Sequence, residues 1–158
     1  MKWVKAAVVG ILGALVMFIF IAFAIQRDIA PFNIPPSAAM LTKLGINVGP
    51  LPLLVHLGDG AFWSMVLVFL LREHTNVWNS MGLGVALWLN MMIIYSPVLG
   101  WGFFGFGGSG STLAPDHPLY LAPGPKYLIA TLVLHVIYGA IIGWLNPLWI
   151  QFRTVPGK

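Results

Sequence analysis

Four stretches of the chain are apolar over about 20 residues each, the length a helix needs to cross the hydrocarbon core of a bilayer. They are Val4–Ile25, Leu51–Leu71, Val77–Leu99 and Tyr127–Ile150. This feature constrains the fold more than any other. It predicts an all-α integral membrane protein with four transmembrane helices in a single membrane domain, residues 1–158. Two long loops, 26–50 and 100–126, divide it into two helix–loop–helix halves. Composition agrees: 59% of the residues are apolar and 8% charged, against about 25% charged in a soluble domain. The mean hydropathy is +0.90. Lys2 and Lys5 precede the first run, which reaches Ala22-Phe23-Ala24 and so has a signal-peptide flavour. It is longer than a usual signal core, and we read it as an uncleaved first helix.

Charge supplies an orientation. Lys2, Lys5, Arg72, Arg153 and Lys158 fall on one side of the expected membrane, and Arg27, Lys43 and Lys126 on the other. Positive residues collect on the cytoplasmic side. Both termini and the short turn after Arg72 are therefore expected inside, with both long loops outside. Trp3, Trp78, Trp101, Tyr127, Trp144 and Trp149 lie near the expected helix ends, where an aromatic belt would sit. Basic residues so thinly spread exclude a nucleic-acid surface. The lipid bilayer and other membrane subunits are the expected partners.

Several chemistries lack their residues. The chain has no cysteine, which removes disulfides, thiolate metal sites, thiol catalysis and c-type haem attachment. It has only four acids and no Gly-x-Ser-x-Gly, His-Glu-x-x-His or phosphate-loop motif. A non-catalytic protein is expected, with no metal site.

Helix association in lipid relies on small residues and polar pairs. Gly139-x-x-x-Gly143 is the strongest such pattern, beside Gly60-x-x-x-Ser64, Gly82-x-x-x-Ala86 and Gly10-x-x-x-Ala14. Asn90 is expected to hydrogen-bond across the bundle. In the first loop, Ser37 and Gly45 read as cap and terminator of a short surface helix. In the second, Phe103, Phe104 and Phe106 alternate with glycines and read as a contact surface for a partner or for headgroups. Asp116 and His117 follow in a proline-rich turn and read as solvated.

His56, Asp59 and His135 raise the functional question. Ionisable residues within a membrane usually face the bundle interior and signal function. His56 lies roughly 8 Å from the helix end and His135 roughly 12 Å from the same face, at 1.5 Å per residue. Each opens a His-x-x-x-Gly pattern, His56 to Gly60 and His135 to Gly139, half a chain apart. A parallel internal repeat would explain that spacing. Three readings compete. The histidines and Asp59 join helices by hydrogen bonds, with no cofactor. Or His56 and His135 hold a b-type haem or a pigment in an electron-transfer subunit. Or His56, Asp59 and His135 carry protons, a cation or a small solute in an oligomeric transporter or channel.

His135-Val136-Ile137-Tyr138-Gly139 through Gly143, with His56-Leu57-Gly58-Asp59-Gly60 in the first half, resembles the His-x-x-Tyr-Gly-x-x-x-Gly segments of YagU-like and related small four-helix bacterial inner-membrane proteins. The resemblance implies a four-helix fold and a bacterial inner membrane, and no particular activity. Asp59 stands where that pattern has Tyr. Size, few catalytic groups, aromatic loops and an expected ordered tail at Val155–Lys158 together favour an accessory subunit. Its setting would be a larger membrane complex, respiratory or photosynthetic.

Overall fold

A computed structural model of the chain describes residues 1–46 and 49–150. The expected ordered tail, and with it Arg153 and Lys158, lies outside the described residues. Within them the fold is helical, without a β-strand, and four helices are long and apolar enough to cross a membrane. The first is α1, Lys2–Gln26. A short helix, α2, follows at Pro36–Lys43. The second long helix is α3, Leu51–Leu71, which ends in a tight 3-10 turn over Arg72–His74. The third spans Val77–Leu99 as α4 (Val77–Asn90), a wide π-helical turn (Met91–Tyr95) and α5 (Ser96–Leu99). After α6, Ser109–Thr112, comes the fourth long helix, α7, Lys126–Trp149. We call the end of the bundle that carries the two long loops the loop end, and the other the terminal end.

The π turn has a local cause. Pro97 has no N–H to donate, so the ladder cannot continue in regular register there. The Ser96 hydroxyl donates instead to the Met91 carbonyl at 2.9 Å and shares a 2.6 Å hydrogen bond with the Tyr127 hydroxyl. Wide turns of this kind occur mostly inside α-helices and at functional sites.

The packing pairs α1 with α3 and α4 with α7, and the two pairs meet chiefly through α1 and α7. Small residues set both crossings. Gly60 lies against Gly10 and Ala14 of α1, and a Cβ on Gly10 would meet the Gly60 carbonyl and the Ser64 side chain. In the second pair, Gly139 lies on Ser80 and Met81, Gly143 on Ser80 and Asn76, and Gly84 on the His135 carbonyl. The packing face of α4 is therefore Ser80 and Gly84, not Gly82 and Ala86. Gly82 has nothing within 4 Å of a built Cβ, and Ala86 is exposed. Two residues along a helix turn through about 200°, which puts Gly82 opposite both Ser80 and Gly84. The two crossings also differ in register: mid-way along α1, but in the first turns of α4. A third approach uses Gly13, which lets the Tyr138 ring of α7 lie on α1. Deeper towards the terminal end, the Asn146 amide donates to the Ser64 hydroxyl at 3.0 Å and to the Ile142 carbonyl at 2.9 Å.

At the loop end the two long loops pack on each other. Phe32 and Leu121 form an antiparallel bridge, and the Ala122 N–H donates to the Pro31 carbonyl at 2.7 Å. Asn33 donates to the carbonyls of Pro115 and His117. Beneath them Phe32, Trp101 and Tyr127 form an aromatic cluster, with Trp101 and Tyr127 edge-on at 5.3 Å between centroids. Trp101 and Tyr127 are fully buried, so neither belongs to an interfacial belt. Gly105 makes this possible: its φ of +80° suits glycine, and a Cβ there would strike the Tyr127 ring. Among the three loop phenylalanines, Phe103 and Phe106 are exposed. Phe104 turns inward onto Trp88, with ring centroids 6.1 Å apart, so the expected three-ring contact surface reduces to two rings.

Candidate functional site

The gap between α3 and α4, neighbours in sequence that do not pack on each other, encloses a cavity of about 350 Å³. All four long helices contribute to its wall. Met17 and Ile21 come from α1, His56, Asp59 and Trp63 from α3, Leu87 and Asn90 from α4, and His135 and Tyr138 from α7. Pro35, Pro36 and Ser37 roof it from the start of α2. The roof is anchored by the Tyr95 hydroxyl, which donates to the Pro36 carbonyl at 2.8 Å. Tyr138 reaches across from α7, donating to the Gly60 carbonyl at 2.5 Å. Val55, Asp59 and Asn90 line the cavity and are also exposed. They mark its mouth, which opens sideways between α3 and α4 under the roof.

His56, Asp59, Asn90 and His135 thus meet in one place. Their bonding differs from expectation in detail. A carbonyl oxygen only accepts, so each imidazole nitrogen facing one carries the proton. His56 donates through Nε2 to the Ala14 carbonyl of α1 at 3.0 Å. His135 donates through Nδ1 to the Thr131 carbonyl one turn back in its own helix, at 2.7 Å. His56 therefore joins two helices, whereas His135 leaves Nε2 as an acceptor. His56 likewise leaves its Nδ1 open, so among the described residues each ring keeps one nitrogen free of a protein partner. Asp59 accepts from the indole of Trp63, one turn further on, at 3.1 Å. Asn90 makes no side-chain hydrogen bond among the described residues and stands at the mouth rather than bridging helices.

Ser37 also differs. Pro35 occupies the cap position of α2 and no side chain caps it, so Ser37 sits inside the first turn. Its hydroxyl is buried without a hydrogen-bond partner among the described residues, on the cavity roof. Tyr95, Tyr138 and Trp63 are wall residues that motif reading passed over, and Ser37 was read only as a helix cap. Tyr138 was visible only as part of His-x-x-Tyr-Gly, and Tyr95 and Trp63 carry no local signal. No group of three or more His, Asp or Glu side chains that could hold a metal occurs among the described residues.

No protein family, curated protein or solved structure matches the chain.

Proposed function

We propose that this chain is a multi-pass membrane protein that binds a small, largely apolar molecule taken up from the bilayer. The observation that carries the reading is the cavity between α3 and α4, roofed by α2 and open to the side. Ligand sites are concave and mostly apolar, with a few convergent polar groups, and occupy roughly 300–1,000 Å³; this one falls at the small end. A sideways mouth between two apolar helices suits a ligand that reaches the site within the membrane. The test is chemical extraction of purified protein. A small molecule retained by the wild type should be lost from the cavity-filling variant Asn90→Trp. Identical extracts from two folded proteins would defeat the reading.

A second reading, compatible with the first, makes the chain a non-catalytic accessory subunit of a larger complex in a bacterial inner membrane, with cytoplasmic termini. Phe103 and Phe106 favour it, standing 63% and 67% exposed at the loop end beside a buried aromatic cluster. Mild-detergent purification tests it: co-migration with unlike chains supports it, and a homogeneous homo-oligomer favours a transporter or channel. The YagU-like resemblance supports the bacterial setting. A b-type haem or pigment held by His56, His135 or both would show as a visible absorption band in the same sample.

A further inference from the structure

We infer that the cavity selects a lipophilic monocation, a protonated amine with an apolar body, over neutral and anionic amphiphiles. The inference rests on the ligand-binding reading above and names the class of ligand. With both imidazoles neutral and Asp59 ionised, three polar atoms in the wall are open and can only accept. Nδ1 of His56 is left as an acceptor because Nε2 carries the proton given to Ala14. Nε2 of His135 is left as one because Nδ1 carries the proton given to Thr131. One carboxylate oxygen of Asp59 remains after the other accepts from Trp63.

An acceptor-rich wall calls for a ligand that brings donors. Asp59 is the only acid in that wall, and no Lys or Arg among the described residues lines it. With both imidazoles of the wall neutral, its charge has no partner within the site. An ammonium supplies both missing elements, up to three N–H donors and a positive charge. In low-dielectric surroundings the attraction between unlike charges is far stronger than in water. The rings of Trp63 and Tyr138 in the same wall add faces that attract cations. Asp59 sits at the mouth, so the head can dock there while a chain longer than the cavity leaves between α3 and α4. A carboxylate or phosphate head would meet like charge and no donor stronger than Ser37 or Asn90.

The experiment is equilibrium binding of radiolabelled dodecylammonium to the full chain in uncharged phosphatidylcholine nanodiscs, with dodecanol and dodecanoate as competitors. Empty discs define partitioning into lipid. Saturable binding is expected, with dodecanol competing at least tenfold more weakly and dodecanoate more weakly still. Asp59→Asn should lower affinity at least tenfold, and Asp59→Glu should restore most of it, which separates charge from folding. Equal competition by dodecanol, with Asp59→Asn unchanged, overturns the cation inference and leaves the cavity reading standing. Saturable binding that survives both Asp59→Asn and Asn90→Trp overturns the inference by placing the amine elsewhere. Absence of saturable binding for all three probes overturns the inference and the ligand-binding reading together.

Discussion

Gly82 and Gly84 lie on the same helix in the same small-residue stretch, yet the structure assigns them opposite consequences. A Cβ on Gly84 would fall on the carbonyl oxygen of His135 and within 3.0 Å of its carbonyl carbon. Both obstacles are backbone and cannot rotate away, so α4 and α7 must separate. A Cβ on Gly82 meets nothing within 4 Å. Replacing either glycine by alanine brings the same gain in helix propensity, about 1 kcal/mol. That gain cancels when the two variants are compared. What remains is the overpacking cost at Gly84, about 1–3 kcal/mol, and a backbone obstacle puts it near the upper bound. At about 2–4 °C per kcal/mol for a chain of this size, Gly84→Ala should melt about 6–12 °C below Gly82→Ala. The seven tryptophans report unfolding by intrinsic fluorescence in detergent or nanodiscs. Equal melting temperatures, or the reverse order, would refute the pairing of α4 with α7 through Ser80 and Gly84.

Trp101→Ala removes a fully buried ring from the loop-end cluster and should cost about 3–5 kcal/mol, read as a lower melting temperature. Replacing Phe103 and Phe106 together by Ser should leave that temperature within about 0.5 kcal/mol of wild type while weakening any co-purifying partner, whereas Phe104→Ser should destabilise the fold. His56→Gln keeps a donor for the Ala14 carbonyl, so its effect on stability should stay near the roughly 0.6 kcal/mol typical of hydrogen bonds between membrane helices; a collapse of the fold would show that the imidazole does more. For topology, cysteines at exposed Asp116 and Glu73 should label from opposite sides, with Asp116 outside as the basic residues imply. Ser109 and Thr75 are buried and would label poorly from either side.

The four spans were legible in the sequence because a run of apolar residues long enough to cross a bilayer is a one-dimensional property. Their limits matched to within two residues at each end. The presence of His56, Asp59 and His135 inside those runs was equally legible, since an ionisable group stands out in an apolar context whatever it touches. Which small residues pack was not. Gly60, Gly82 and Gly139 look alike in a string, and only the rotation of each helix about its own axis separates a buried glycine from one facing outward. Nor could the string show that the loops form a shared aromatic core, because Phe32, Trp101 and Tyr127 come from three distant segments. The cavity is likewise a product of the tertiary arrangement. It exists because α1 pairs with α3 and α4 with α7, leaving α3 and α4 apart, and because α2 crosses that gap. The same arrangement decides that His56 bonds to α1 while His135 bonds within its own helix. Hydrogen-bond direction depends on which carbonyl lies within about 3 Å, a distance that only the assembled bundle defines.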